Sequence, residues 1–229
     1  MGANFITGTG TDIGKTWLAC ALLRHWQAQG RAVAAFKPVL SGFDEQRPEA
    51  SDGGALLAAL GREVTVAELD AIAPWRFIAP LSPDMAAAHE GRSIDFGELG
   101  TFTRRCVSAD FQHTLVEGVG GVMVPLDETH TVRDWIAASG LPCVLVTGSY
   151  LGSLSHALTA LEALRTVPGG TQSAGAGVTA IVVNETPGSS VGLDATLESL
   201  SRHVGGIPLV AIPRVGWEPA IGRLAGLLC

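Results

Sequence analysis

The sequence alternates between short apolar runs and longer segments with helical spacing. The apolar runs are continuous rather than interleaved with polar residues, as in residues 142–148 (PCVLVTG) and 178–184 (VTAIVVN). A strand that is apolar on both sides is buried on both faces, which is typical of a parallel sheet covered by helices. The pattern therefore predicts an α/β fold, with a doubly wound, mainly parallel sheet and helices on both faces, in a single domain over residues 1–229.

The remaining segments fit the same alternation. Further strands are predicted at residues 3–7, 32–38, 113–117 and 208–215. Helices are predicted at residues 15–30, 51–61, 131–140, 153–167, 194–204 and 218–228. The interval 51–110 is less regular and is expected to hold helices over one end of the sheet. Residues 169–177 are rich in glycine and predict a loop within the domain.

Composition narrows the classes of partner. The chain has 229 residues, of which 47% are hydrophobic, which is enough to bury a sizeable core. The net charge is −7 and no block of like charge occurs, so neither nucleic acid nor an anionic membrane is an expected partner. No apolar run reaches the roughly 18 residues of a membrane span, and the N-terminus leads directly into a strand. These features predict a cytoplasmic protein.

Cysteine and histidine give no metal or disulfide pattern. The four cysteines form no CxxC pair and predict reduced thiols; they are Cys20, Cys106, Cys143 and Cys229. The six histidines are scattered, without an HxxxH or HExxH spacing, so a histidine metal site is not expected.

Residues 7–16 (TGTGTDIGKT) follow the first predicted strand and precede the first predicted helix. This is the context of a phosphate loop, in which glycines let backbone N–H groups face a phosphate and the helix N-terminus adds positive potential. Lys15 would reach the terminal phosphates and the Thr16 hydroxyl would ligate Mg²⁺. The alternative is a glycine-rich turn followed by an ordinary helix lysine, and it is the weaker reading because loop, lysine, threonine and flanking elements occur together.

Lysine is rare in this chain. Only Lys15 and Lys37 are present, against thirteen arginines. A bias towards arginine codons explains the scarcity, but it does not explain why both lysines occupy positions suited to a site. Lys37 directly follows a buried run and Ser41 comes shortly after it, so a cation and a hydroxyl lie at the sheet edge that carries the phosphate loop. An ammonium is a compact point charge that fits between phosphate oxygens.

Two carboxylates are candidate metal ligands. Glu117 ends the predicted strand 113–117 and precedes GVGG. Ligands of doubly wound sheets collect at the carboxyl ends of the strands, where an acidic residue can hold Mg²⁺. Asp52 can supply a second carboxylate, or it can simply cap the helix that begins there. The sequence leaves these two roles of Asp52 open.

Asn184 ends a predicted strand and its carboxamide can read both donors and acceptors on a purine. A turn residue is an equally good interpretation of Asn184. Pro213 and Arg214 end the last predicted strand in a similar way. Most of the five tryptophans are expected to be packing residues.

Taken together, these motifs resemble the dethiobiotin synthetase family. The resemblance rests on TGTGTDIGKT, KPVLSG, SD at 51–52, PLSPDMAAAHEG, VEGVGG, YLGSLSHALTALEAL, VVNE and IPRV, which occur in the family's order between residues 4 and 215. The phosphate loop alone would not be specific, whereas its combination with KPVxSG and VEGxGG is. The resemblance implies a P-loop NTPase-like fold.

The resemblance also implies a reaction. The vicinal diamine 7,8-diaminononanoate takes up CO₂ as a carbamate, the carbamate attacks the γ-phosphate of ATP, and the second amine closes the cyclic urea. The implied products are dethiobiotin, ADP and phosphate, with Mg²⁺ as the metal. The implied assembly is a homodimer in which the substrate carboxylate meets a helix start of the partner subunit.

Residue roles follow from the same resemblance. The implied catalytic residues are Lys37, Lys15 and Thr11. The implied metal ligands are Thr16, Asp52 and Glu117. The implied nucleotide-binding residues are Asp12, Ile13, Gly14, Lys15, Thr16, Trp17, Asp52, Glu117, Gly118, Val119, Gly120, Asn184, Glu185, Pro213, Arg214 and Val215. The implied substrate-binding residues are Ser41, Gly121, Gly152, Ser153, Leu154 and Ser155.

Three other functions are weaker. Amidating ligases of the P-loop group carry an added glutaminase domain, for which this chain has no room. Partitioning-type ATPases carry an extra lysine early in the phosphate loop, where this chain has Thr11. A binding module that has lost its activity is disfavoured because both lysines, Thr16 and Glu117 are present.

Overall fold

The structure is a computed structural model that describes residues 2–107, 110–166 and 177–228. Its strands are, in chain order, β1 (Gly2–Gly8), β2 (Val33–Phe36), β3 (Val39–Ser41), β4 (Trp75–Phe77), β5 (His113–Glu117), β6 (Cys143–Gly148), β7 (Val178–Asn184) and β8 (Leu209–Ile212). The main sheet has the order β2-β5-β1-β6-β7-β8 and all its pairings are parallel. β3 and β4 form a separate parallel pair. The predicted mainly parallel sheet is confirmed.

Helices connect the strands and cover both faces of the main sheet. They are α1 (Lys15–Ala28), α2 (Asp52–Ala59), α3 (Val66–Ile72), α4 (Pro83–His89), α5 (Phe96–Cys106), α6 (Val132–Ser139), α7 (Ser153–Arg165), α8 (Leu193–Ser201) and α9 (Glu218–Leu227). Among the described residues, no helix is both long and apolar enough to cross a membrane.

The core lies in two layers, one on each face of the sheet. Neighbouring strand residues enter opposite layers: Ile6 packs with α1, α2, α3 and α9, whereas Phe5 packs with α4 to α8. Val144 and Leu145 divide in the same way. Successive side chains of a strand point to opposite faces, and both faces here are covered. The continuous apolar runs of the sequence are therefore a direct consequence of this double burial.

The carboxyl ends of the parallel strands meet at one edge of the sheet. β1 and its neighbour β5 end at Gly8 and Glu117, β7 ends at Asn184, and β2 ends one residue before Lys37. Residues that are far apart in sequence are thereby collected beside the loop that leads from β1 into α1. This edge is where a doubly wound sheet binds ligands.

Three sequence predictions need correction or limitation. The strand predicted over 208–215 covers only Leu209–Ile212, because Pro213 has no N–H to continue the ladder. The strand predicted over 32–38 ends at Phe36: the Lys37 N–H donates to the Ile72 carbonyl at 2.9 Å, and Pro38 has no N–H to continue the ladder. The chain then enters β3, which pairs with β4 outside the main sheet. Most of the glycine-rich segment 169–177 lies outside the described residues, and Gly177 belongs to no helix or strand.

The thiol prediction holds where the structure describes it. Cys20, Cys106 and Cys143 are buried free thiols, and Cys229 lies outside the described residues. Burial raises the pKa of Cys143 to about 12, so this thiol is held in its neutral form.

Candidate active site

The loop between β1 and α1 has the backbone conformation that its glycines predict. Gly14 precedes α1 with φ of 91°, a left-handed value that suits glycine. Asp12 also has positive φ, at 56°. Lys15 begins the helix, and its ammonium donates to the Gly10 carbonyl at 2.6 Å. The lysine therefore lies over the loop, at the place where phosphate oxygens would be bound.

The environment of Lys15 disfavours its charge. Burial and, next, repulsion from the Lys37 ammonium lower the pKa of Lys15 to about 8. A bound polyphosphate would place negative charge next to this ammonium and would favour its charged form. The loop is thus electrostatically prepared for an anionic ligand.

Lys37 lies at the centre of a second, buried cluster. Its ammonium donates to Glu117 Oε1 at 2.7 Å and to the Gly118 carbonyl at 2.7 Å, and it lies 3.2 Å from Asp52 Oδ2. Lys37 is only 2% exposed and Glu117 only 1%. Burial alone would lower the pKa of Lys37, but the attraction of Glu117 and Asp52 outweighs it and raises the pKa above its usual value.

The structure also resolves the two roles left open for Asp52. The cap of α2 is Ser51, whose hydroxyl accepts from the Gly54 N–H at 3.0 Å. Asp52 is the first residue of the helix and its carboxylate faces Lys37 and Thr16. Burial raises the pKa of Asp52, yet the attraction of Lys37 and the hydrogen bonds lower it overall. Asp52 is therefore not the helix cap, and its carboxylate belongs to the buried cluster around Lys37.

The three predicted metal ligands converge on the same point. The Thr16 hydroxyl donates to Glu117 Oε1 at 2.7 Å, and Asp52 reaches Thr16 from the other side. Glu117 Oε2 is buried and has no hydrogen-bond partner within the described ranges. Hard oxygen ligands suit Mg²⁺, which is commonly held by one or two carboxylates together with substrate phosphates. Within the described part of the chain, no group of three or more His, Cys, Asp or Glu side chains is placed to hold a metal ion, so the protein offers at most these two carboxylates and one hydroxyl here.

Two adjoining cavities flank the phosphate loop. The larger, of about 810 Å³, holds both lysines and the Thr16, Asp52 and Glu117 cluster, together with Ser41 of β3. Val119 and Gly120, which were predicted to bind the nucleotide, also line this cavity. Further lining residues had no role assigned from the sequence: Pro80, Leu81, Ser82, Pro83, Met85 and Val124. Five of these lie in the PLSPDM motif, which contributed to the resemblance without indicating a function.

The second cavity, of about 650 Å³, lies on the other side of the loop. Its predicted lining residues are Thr11, Asp12, Ile13, Gly14, Trp17, Asn184, Glu185, Pro213 and Arg214. Those that the sequence reading missed are Thr9, Gly10, Tyr150, His156, Thr186, Pro187, Ile212 and Trp217. Thr11, Asp12, Gly14 and Trp17 line both cavities. A ligand with phosphates at one end and a planar group at the other would therefore span them.

Asn184 ties the second cavity to the phosphate loop. Its amide nitrogen donates to the Ile13 carbonyl at 2.6 Å. The side-chain oxygen of Asn184, Oδ1, is buried and, among the described atoms, has no hydrogen-bond partner. An added Cβ on Gly14 would lie 2.5 Å from the same amide nitrogen. This close approach explains why a residue without a side chain precedes Lys15.

Some predicted residues lie outside these cavities. Val215 is 87% exposed and lines neither cavity within the described structure. Gly118 contributes through its carbonyl, which accepts from Lys37. Gly121 packs against the loop backbone, where an added Cβ would lie 3.1 Å from the Thr9 carbonyl oxygen.

The residues at the start of α7 form a separate surface. Gly152, Ser153, Leu154 and Ser155 line neither cavity in the part of the chain described. Gly152 precedes the helix with φ of 98°, and Gly152 and Ser155 are exposed. Within one chain, this predicted substrate-binding element is not brought to Lys37.

Sequence comparison then decides the family. A protein described as ATP-dependent dethiobiotin synthetase BioD from Acidiphilium cryptum is 49% identical over 205 residues, which is 89% of each chain. Its counterpart from Phenylobacterium zucineum is 45% identical over 226 residues, covering 96% of this chain and 94% of its own. The chain belongs to the dethiobiotin synthetase family. A family model described as an AAA domain matches residues 3–223 of this dethiobiotin synthetase family member.

The family resemblance drawn from the motifs is thus confirmed. Dethiobiotin synthetases are ligases that form C–N bonds, so the chain is assigned to an enzyme family rather than to a class of binding modules. The family assignment also agrees with the presence of Thr11 at the loop position where partitioning-type ATPases carry a lysine.

Solved structures support the fold. The hydrogenase maturation factor HypB from Archaeoglobus fulgidus matches with a TM-score of 0.58 and 13% identity, over 100% of this chain and 91% of its own. The cell division ATPase MinD from Pyrococcus furiosus matches with a TM-score of 0.57 and 17% identity, over 99% of this chain and 98% of its own. At these identities the likeness concerns the fold alone, and it confirms the P-loop NTPase-like architecture.

Proposed function

We propose that this chain catalyses the ATP- and Mg²⁺-dependent carboxylation and ring closure of 7,8-diaminononanoate with CO₂ to give dethiobiotin, ADP and phosphate. The observation that carries the proposal is the pair of buried lysines that line a single cavity together with Thr16 and Glu117. Lys15 faces the phosphate loop and Lys37 faces the space lined by Ser41. The relatives named as ATP-dependent dethiobiotin synthetases support the same conclusion.

The chemistry requires two anions to react with each other. One amine of the diamine adds to CO₂ and loses a proton, giving a carbamate. A carbamate oxygen then attacks the γ-phosphorus while the bond to ADP breaks, giving a carbamic-phosphoric anhydride. The second amine attacks the carbonyl carbon and phosphate leaves as the urea ring closes. No protein nucleophile is needed, so catalysis depends on positioning and on stabilising charge.

Lys37 is assigned as the principal catalytic residue. Its raised pKa keeps the ammonium charged, and a charged group fixed in a buried site stabilises a developing anion more than it would in water. In the protein alone this ammonium is bonded to Glu117 and Asp52. Lys37 must therefore turn from these carboxylates towards the carbamate and the γ-phosphate during the reaction. Lys15 and Thr11 assist from the phosphate loop.

Thr16, Asp52 and Glu117 are assigned as the residues that would hold Mg²⁺. Their oxygen atoms suit this cation, and the Lys37 ammonium between the two carboxylates already stands in for a positive charge. When bound, the metal would neutralise the β- and γ-phosphates during phosphoryl transfer.

The remaining residue roles are proposed on the same basis. For the nucleotide these are Asp12, Ile13, Gly14, Trp17, Gly118, Val119, Gly120, Asn184, Glu185, Pro213, Arg214 and Val215. The substrate would contact Ser41 and Gly121 of one protomer. Its carboxylate would meet Gly152, Ser153, Leu154 and Ser155 of the second protomer, because a helix start presents free N–H groups. This arrangement requires a homodimer, which we propose together with a cytoplasmic location and a single domain over residues 1–229.

The deciding experiment measures phosphate release from Mg·ATP and bicarbonate with and without 7,8-diaminononanoate, and identifies the product by mass. Diamine-dependent release with formation of the cyclic urea is expected. Release that is independent of the diamine would refute the proposal in favour of an ATPase switch. Diamine-dependent release with a different product would refute the ring closure while retaining the substrate. A 1,2-diamine that lacks the carboxylate chain tests whether the substrate's carboxylate matters.

A further inference from the structure

Two tryptophans form an edge-to-face pair beside the phosphate loop. Trp17 lies in the first turn of α1, and Trp217 immediately precedes α9. Their ring centroids are 5.2 Å apart and the rings are inclined at 83°. The pair joins the first helix of the chain to the start of the last one. Neither the phosphate loop motif nor the last strand motif indicates this contact.

Both indoles face the cavity on the far side of the loop from Lys37. Trp17 and Trp217 line it together with Asn184 and Pro213. Trp17 is 42% exposed, whereas Trp26 and Trp135 are fully buried in the core. A large aromatic surface left open inside a concave, mainly apolar cavity is a typical ligand-binding feature.

The hydrogen-bonding groups of this cavity are few by comparison. The side-chain nitrogen of Asn184 donates to the Ile13 carbonyl, and its side-chain oxygen, Oδ1, has no partner among the described atoms and could accept from a ligand. The backbone N–H of Arg214 donates to Glu185 at 2.8 Å. Edge recognition of a base is therefore limited here, while aromatic surface is plentiful. Stacking on an aromatic ring is tolerant of base identity because every base has a π-face.

We propose that Trp217, supported by Trp17, is the stacking surface for the nucleotide base and supplies much of the affinity for the nucleotide whatever its base. The inference deepens the proposed function and rests on it, because it requires a nucleotide whose phosphates lie on the adjoining loop. Trp17, which lines both cavities, marks the passage from the phosphates to the base.

A purely structural role makes a different prediction. Trp217 also packs against the core layer formed by α1 and α9, so the pair could serve only to hold α9 in place. In that case its removal would lower stability and would affect every ligand of the loop equally. A ligand that has phosphates but no base separates the two roles.

The experiment compares dissociation constants by isothermal titration calorimetry, with Mg²⁺ present, for ADP, GDP and inorganic tripolyphosphate. Stacking contributions of about 1–3 kcal/mol per base correspond to about five- to 150-fold in affinity. We expect Trp217→Leu to weaken ADP and GDP by a similar factor within that range, and to leave tripolyphosphate unchanged. Trp217→Phe, which keeps an aromatic ring, is expected to stay within about threefold of the parent protein.

Trp75→Leu is the matched control. Trp75 is also partly buried and also makes an edge-to-face contact, with Phe102 at 5.7 Å and 86°, but it lines neither of the two cavities in the described structure. Its replacement is expected to leave all three constants unchanged. Thermal unfolding checks that each variant is folded.

The outcomes distinguish the inference from the function on which it rests. An unchanged ADP constant in folded Trp217→Leu, or an equal loss for tripolyphosphate, would overturn the stacking role. Unequal losses for ADP and GDP would overturn the tolerance of base identity. If the parent protein bound none of the three ligands, the proposed nucleotide-dependent function would itself be refuted.

Discussion

Replacing Lys37 by methionine removes an ammonium from the buried cluster while keeping most of the length and volume of the side chain. The Lys37 and Glu117 side chains are 3% and 1% exposed and their charged atoms are 2.7 Å apart. Without Lys37, the Glu117 carboxylate keeps the Thr16 hydroxyl as a donor but loses its direct ion pair. Asp52 is less affected because its side chain is 46% exposed and reaches solvent.

The size of the effect follows from this geometry. At a separation of 2.7 Å, the gross attraction is about 6 kcal/mol at an effective dielectric constant of about 20. Desolvation of both groups offsets part of this, and removing one partner of a buried pair typically costs about 3–5 kcal/mol. For a chain of this length, that loss lowers the midpoint of thermal unfolding by about 6–20 °C. Turnover is expected to fall at least about 100-fold, as when a charge-stabilising group is removed.

The assay combines urea unfolding with the diamine-dependent release of phosphate. Lys15→Met is the matched control: Lys15 is bonded to a carbonyl rather than a carboxylate, and burial and repulsion from Lys37 lower its pKa, so its charge does not stabilise the fold and its loss should leave stability unchanged or raise it. Lys37→Met with Glu117→Gln removes both charges and should regain most of the stability while remaining inactive. Equal stabilities of Lys37→Met and the parent would refute the electrostatic reasoning. Normal turnover in folded Lys37→Met would refute the catalytic role.

The same variant tests the metal site by a measurement other than activity. In Lys37→Met, Glu117 and Asp52 lack a counter-charge, so Mg²⁺ added without nucleotide should raise the unfolding midpoint more than in the parent protein. The variant that also carries Glu117→Gln should lose this gain. An equal response of all three proteins would contradict the assignment of these carboxylates to the metal.

Two further predictions concern the backbone of the site and the pH dependence of stability. Gly14→Ala places a Cβ on a residue in a left-handed conformation, 2.5 Å from the Asn184 amide nitrogen, and should lower the free energy of unfolding in urea by about 1–3 kcal/mol. Gly10→Ala is the control and should be near neutral, because its Cβ would meet no described atom within 4 Å. Equal losses of stability in the two variants would contradict the argument. Burial raises the pKa of Asp134, but hydrogen bonds from Thr131 outweigh it and lower the pKa overall. A lowered pKa gives stability that is present above the unfolded value of about 3.9 and is lost as the pH falls through the folded value. Asp134→Asn should therefore be less stable than the parent by about 1 kcal/mol at pH 7, and the difference should shrink below about pH 4; a difference that is constant with pH would refute this.

Much of the fold could be predicted because its signals are local. The continuous apolar runs predict strands buried on both faces, and the glycine loop between strand and helix fixes where α1 begins. The β3–β4 pair could not be predicted in the same way, because strands of three residues carry almost no periodicity. The end of β2 was misplaced because Lys37 and Pro38 follow the apolar run without a turn signal of their own.

The candidate site likewise has a part that the sequence predicted and a part that it did not. The glycine loop between a predicted strand and a predicted helix indicated the roles of Lys15 and Thr16, and the motifs implied the roles of Lys37 and Glu117. The sequence left Asp52 undecided between a helix cap and a metal ligand, and Ser51 was the other candidate cap. In the structure the Ser51 hydroxyl caps the helix, and the metal role of Asp52 stays a prediction. The sequence assigned no site role to Trp217, since most of the five tryptophans were predicted to be packing residues, and its place beside a cavity emerges only from the structure.

The sequence by itself determined the architecture, the family and the chemistry of the phosphate loop, because each depends on residues that are close in the chain or follow one another in a fixed order. Only the tertiary structure decided how the distant residues meet. Lys37 and Glu117 are brought together because β2 and β5 are neighbours in the sheet and end at the same edge. Trp17 and Trp217 meet because α9 packs beside α1. Such contacts are set by strand order and helix packing, which no local pattern of side chains records.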